Sequence, residues 1–190
     1  SIRVRCLVDA ARPLHGVRRL NDADGRACEA VRSFKVDHHQ HHGVIIAGQP
    51  LPADFQALSA AGVRRVFNLR TAEEMAKLDF DEAAQLASLA IGYEQHPIGG
   101  DQHPYAPSVL DAFSAAMASS NGPLLLHCAS GGRAAQVYAA WLVRERGYRP
   151  DDALRAMDPK GGWPLPLEKL LDRPLRLEFA GGQELHPSFP

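Results

Sequence analysis

The sequence predicts an α/β fold, a mostly parallel central sheet flanked by helices on both faces. Short apolar runs bounded by turn residues recur along the chain and alternate with segments whose apolar positions keep helical spacing. Strands separated by helices pair in parallel through crossovers, and such sheets are covered on both faces. The most apolar run, Leu124-Leu125-Leu126, leads straight into a glycine-containing loop and a further helical pattern. In sheets of this kind, ligands bind beyond the carboxyl ends of the strands.

Taken in order, residues 1–30 give weak signals. Ile2, Val4 and Cys6 alternate with Arg3 and Arg5 as in a strand, and Asn21-Asp22-Ala23-Asp24-Gly25 reads as a turn cluster. A short strand is expected at residues 33–36, followed by the tract His38-His39-Gln40-His41-His42 as a solvated loop. Imidazole is a common metal ligand, but the tract supplies no Cys or carboxylate partner at ligand spacing, and no metal is expected there. Val44-Ile45-Ile46-Ala47 is a buried strand ended by Gly48-Gln49-Pro50. Leu51, Phe55, Leu58 and Ala61 then keep helical spacing up to a closing Gly62.

Residues 63–69 read as the next strand, leading into Arg70. Thr71 and Glu74 fit a capping box, and a helix is expected at 82–90. Gly92 precedes a strand at 93–97, and a loop at 98–107 contains Gly99-Gly100-Asp101-Gln102-His103. Ser108 and Asp111 form a second capping-box pattern, ahead of an apolar face made by Val109, Leu110, Phe113, Ala116 and Met117. After the central strand, Ala134, Val137, Tyr138, Trp141 and Leu142 form a helical stripe that Gly147 terminates. Asp151 is expected to cap a short helix through Met157, and residues 164–171 form a last one.

At 190 residues, 45% of them hydrophobic, the chain is long enough for one domain with extensions and a core that needs no staples. A net charge of −1 argues against a nucleic-acid partner. Residues 1–35 carry eight Lys or Arg against four Asp or Glu, an excess read as a solvated extension. Cys6, Cys28 and Cys128 form no CxxC pair, and an odd count fits a reducing compartment, the cytoplasm. No run approaches the roughly 18 apolar residues of a membrane span, and no apolar stretch follows the N-terminal arginines. Neither a membrane partner nor a signal peptide is expected.

The chemistry concentrates in His127-Cys128-Ala129-Ser130-Gly131-Gly132-Arg133. Backbone N–H groups at a helix N-terminus favour negative charge, so a Cys at the mouth of such a loop is expected to be largely thiolate near neutral pH. Arg133 supplies a planar fork for a bidentate oxyanion. An Arg in the first turn opposes the helix dipole, which points to its being held for an anion.

These residues, together with Gly48-Gln49-Pro50, Phe67-Asn68-Leu69-Arg70 and the Gly99-Gly100 loop, resemble the bacterial beta-lactamase-hydrolase-like phosphatase family, within the cysteine-dependent, dual-specificity and tyrosine-phosphatase-like group. The resemblance covers residues 31–172 and divides the chain into an extension at 1–30, a phosphatase-like domain at 31–172 and a tail at 173–190. It implies a three-layer sandwich and a phosphorylated substrate, protein or small molecule, with no cofactor. Cys128 would be the nucleophile, Ala129, Ser130, Gly131, Gly132 and Arg133 the phosphate cradle, and Asp101 the general acid, with His103 as its rival. His127 would orient the loop, Arg70 would line the pocket rim, and Trp163 belongs either over the pocket or in the core.

Two features depart from the wider group. Phosphatases usually place five residues between Cys and Arg, whereas Cys128 and Arg133 are separated by four, as in rhodanese-type sulfurtransferases. The position after the Arg, commonly Ser or Thr, is Ala134. A persulfide-carrying sulfurtransferase and a catalytically silent phosphate binder are therefore the alternatives to a phosphatase.

Overall fold

The computed structural model describes residues 38–157 and 164–175. The strand expected at 33–36, Trp163, the segment 1–30 and nearly all of the tail lie outside them. Five strands form one sheet: β1 (His38–His41), β2 (Val44–Ala47), β3 (Arg65–Asn68), β4 (Gly92–Gln95) and β5 (Leu124–His127). Their order is β1-β2-β5-β3-β4, with β1 antiparallel to β2 and every other pairing parallel. The helices are α1 (Pro52–Ala60), α2 (Ala72–Met75), α3 (Glu82–Ser88), α4 (Pro107–Ser119), α5 (Gly132–Arg146), α6 (Pro150–Met157) and α7 (Pro164–Leu171).

The sheet divides the core in two because successive side chains of a strand point to opposite faces. Val44, Ile46, Phe67, Leu124 and Leu126 pack with α4, α5, α6 and α7. Ile45, Ala47, Val66 and Leu125 pack with Phe55 and Leu58 of α1 and Leu86 of α3. Burial on both sides explains why β2 and β5 read as continuous apolar runs.

Three expectations need correction. The histidine tract is not a loop: His38–His41 is an edge strand paired to β2, and Tyr138 donates its hydroxyl to the His41 carbonyl at 3.0 Å. No group of three or more His, Cys, Asp or Glu suited to a metal occurs among the described residues. Ser108 does not cap α4. Pro107 already starts that helix, Ala106 holds the cap position without a side-chain bond, and Asp111 instead pairs with Arg144 at 2.7 Å. Asp151 likewise lies inside α6, in its first turn, because Pro150 begins the helix with its φ already preset.

Register fixes where the site forms. Ala47 pairs with His127, His127 with Asn68, and Asn68 with Gln95. Four parallel strands thus end on one line, and the segments after them emerge at one edge.

Candidate active site

The loop after β5 is braced by its neighbours. The Gln49 N–H donates to the Ala129 carbonyl at 3.0 Å, and the Leu69 N–H donates to the His127 carbonyl at 2.9 Å. Gly48 is required by close approach, since a Cβ there would lie 3.0 Å from the Ala129 carbonyl oxygen. Gly131 adopts φ +94, a left-handed conformation that a glycine takes at little cost. That turn lets its N–H donate to Cys128 Sγ at 3.1 Å, and its carbonyl accepts the Ala135 N–H at 2.9 Å as α5 begins.

Cys128 is not at the mouth of the loop, as the sequence led us to expect. It is buried, 1% exposed, beneath Ala129 and Ser130, which are themselves exposed. The two-residue period of β5 sends Cys128 toward α5 and His127 to the opposite face, where it too is fully buried. The His127 ring lies between the Cys128 carbonyl oxygen, 3.3 Å from Nδ1, and Glu82 Oε1, 3.1 Å from Nε2. The other Glu82 oxygen, Oε2, accepts from Asn68 Nδ2 at 3.4 Å, and Asn68 donates to the Tyr93 hydroxyl at 2.9 Å. Buried polar groups need such neighbours, so α3 supplies the support under the loop.

Arg133 is held on one edge by Glu74. Nη1 and Nη2 donate to the two carboxylate oxygens at 2.8 and 2.6 Å, and Nη1 also donates to the Ile98 carbonyl. Glu74 closes the α2 capping box as expected, accepting the Thr71 N–H at 2.9 Å. The Arg133 hydrogen bond, above all, holds its carboxyl down at about 2, against the opposing effect of burial. Arg133 is in turn raised above its ordinary value, first by Glu74 and then, after burial lowers it, by the neighbouring Cys128. Its remaining N–H groups, on the Nε edge, have no oxygen partner among the described residues.

A cavity of about 520 Å³ opens over Arg133, bounded by Thr71, Glu73 and Glu74 on one side and by the segment 99–103 on the other. Gly99 donates to the His103 carbonyl at 2.7 Å, a closure that leaves Asp101 and Gln102 exposed at the tip. Asp101, His103 and Arg133 therefore share one cavity. Arg70 does not line it: its guanidinium donates to Gln49 Oε1 at 2.7 Å and to the Glu74 carbonyl at 3.0 Å, bracing α2 against the loop after β2.

Sequence reasoning missed two residues. Glu74 was legible as a helix cap but not as the carboxylate that holds Arg133, a partner 59 positions away. Tyr105 carries no motif. It is half-buried, its hydroxyl pKa raised chiefly by that burial, and both Arg133 and Cys128 act on it electrostatically.

A mostly parallel sheet with a Cys and an Arg gathered on one strand-loop-helix turn has the cysteine-phosphatase-like fold. Residues 43–147 match the Tc-R-P family, described as a polymorphic toxin system DSP-PTPase phosphatase, and the chain belongs to that family. The match falls on the phosphatase side of the choice that the four-residue spacing left open.

The chain is 36% identical over 95 residues to a beta-lactamase hydrolase-like protein of Agrobacterium fabrum, covering 49% of this chain and 22% of that protein. A protein of the same name from Xylella fastidiosa (strain Temecula1) is 34% identical over 109 residues, 56% of this chain and 25% of the relative. The chain thus spans about a quarter of the length of the curated relatives it matches. Among solved structures, PTPMT1 in complex with PI(5)P aligns with a TM-score of 0.60 at 20% identity, over 71% of this chain and 92% of that one. A putative DUF442 phosphatase from Shewanella putrefaciens CN-32 aligns at 0.59 and 21% identity, over 76% and 93%. At these identities the structures establish the likeness of fold.

Proposed function

We propose that the protein hydrolyses phosphomonoesters through a phosphocysteine on Cys128. The observation that carries this reading is the Arg133 guanidinium, fixed by Glu74 on one edge, unpaired with oxygen on the other, and adjacent to the Cys128 sulfur. A planar fork offering two parallel N–H groups fits two oxygens of a phosphoryl group.

In this mechanism Cys128 Sγ attacks phosphorus, the S–P bond forms, and the P–O bond to the leaving group breaks. Asp101, across the cavity from Arg133, donates the proton that the leaving oxygen takes up. The backbone N–H groups of the segment 129–133 and the edge of Arg133 that faces Cys128 hold the equatorial oxygens. Water then attacks phosphorus, Asp101 accepts its proton, and the thiolate departs with inorganic phosphate released. Ala134 is buried and has no hydroxyl to assist that departure, so the second step is the slower one.

The four-residue spacing is the one feature that favours sulfur transfer instead, with Cys128 carrying a persulfide. Wild type and Cys128→Ser assayed side by side with an aryl phosphate and with thiosulfate separate the two. Phosphate release by wild type, lost by about three orders of magnitude or more in the variant, is the expected result. Asp101→Asn should remove the limb of the pH-rate profile that requires a protonated acid. Sulfur transfer without phosphate release reverses the assignment, and phosphate binding with neither activity makes the protein a silent binder.

A further inference from the structure

We propose that the carboxylate of Glu73 makes this cavity select phosphomonoesters that carry a cationic group beside the phosphoryl group. The inference rests on the phosphatase reading and adds a substrate class to it. Among the described residues Arg133 is the only Lys or Arg in the lining of the cavity, and it faces the bidentate carboxylate of Glu74. The nearby Arg70 lies outside that lining, donating to Gln49 and the Glu74 backbone with its Nε 3.7 Å from Glu74 Oε1.

What remains ionised at the rim as substrate binds is Glu73, because Asp101 enters the reaction as the protonated general acid. Glu73 and Asp101 are both exposed and stand on opposite sides of the opening, one on α2 and one at the tip of the 99–103 turn. Glu73 is kept ionised: its own backbone N–H and the Thr71 hydroxyl hold its carboxyl below the usual range, and His103 acts in the same direction. The phosphoryl group itself has Arg133 and the loop amides to meet its charge. Any further negative charge on the substrate meets the Glu73 carboxylate as a repulsion, and a positive charge at the same place meets it as an attraction. A peptide with a basic residue beside its phosphorylated side chain and a small aminoalkyl phosphate share this chemistry.

The test measures kcat/KM for the full chain with four probes: a neutral aryl phosphate, a lysine-flanked phosphotyrosyl peptide, its glutamate-flanked counterpart, and aminoethyl phosphate. At low salt the lysine peptide is expected to exceed the glutamate peptide by about threefold, the worth of one exposed charge pair, and the ratio shrinks as added salt shortens the Debye length. Glu73→Lys should abolish or invert the ratio and Glu73→Gln should reduce it, each ratio being taken between the two peptides within the same variant so that a change in its overall rate cancels. Aminoethyl phosphate turned over as well as the lysine peptide assigns the preference to a small amine, and a response by the peptide alone assigns it to a protein substrate. Equal rates for the two peptides at low salt, or an unchanged ratio in Glu73→Lys, overturn the proposal. A wild type inactive on every probe contradicts the phosphatase reading instead. The rim is then read by binding of the two peptides to Cys128→Ser, where a lysine preference upholds the inference and equal affinity refutes it.

Discussion

Arg133 stands in the first turn of α5, where a cation opposes the helix dipole, and the Glu74 carboxylate offsets that cost while fixing the plane of the guanidinium. The pair has a definite pH signature. A carboxyl held at about 2 in the folded protein and near 4.3 when unfolded contributes stability that is fully present above the unfolded value. That contribution is lost as pH falls through the window down to about 2. Denaturation midpoints measured across this range should fall less steeply in Glu74→Gln than in wild type. The same variant should lose roughly tenfold to a hundredfold in kcat/KM, because a small misplacement of a positioned group costs on that order. An unchanged kcat/KM would show that the loop alone orients Arg133.

At the level of elements, the loop after β5 keeps its shape because the loops after β2 and β3 press on it. Gly48→Ala would bring a methyl group 3.0 Å from the Ala129 carbonyl oxygen and 3.4 Å from the Ser130 Cα. Both neighbours are backbone, so the loop itself must move. Gly122→Ala is a matched control: its Cβ would meet the Gly62 carbonyl oxygen at 2.9 Å, in the turn before β5 and at its other end. Both variants are expected to unfold at lower temperature, but only Gly48→Ala should lower kcat for an aryl phosphate under conditions where the protein is folded. Equal losses of kcat in the two would place the effect in general stability.

For the whole molecule, the order of strands and helices was legible because nearly every described element has a local cause. The apolar run of β5, the Thr71–Glu74 box and the left-handed Gly147 that ends α5 (φ +69) are each specified within a few residues. The loop's Cys and Arg were legible for the same reason. What escaped detection depends on distance along the chain. The histidine tract became an edge strand because β2 offered it a partner, and Tyr138, 97 positions away, holds His41. Glu82 supports His127 only because α3 packs beneath that face of β5, and the depth of Cys128 follows from loops that no local pattern describes.

Covalent capture on Cys128 is the central claim, and rapid acid quench of a reaction with an aryl phosphate, followed by peptide mass spectrometry, reads it directly. Because Ala134 offers no hydroxyl to the departing thiolate, the phosphocysteine should accumulate, giving a burst of alcohol product and one added phosphoryl group on the peptide containing Cys128, absent from Cys128→Ser. Steady phosphate release with no phosphoryl adduct on Cys128 at any quench time, at a rate that Cys128→Ser preserves, would contradict it.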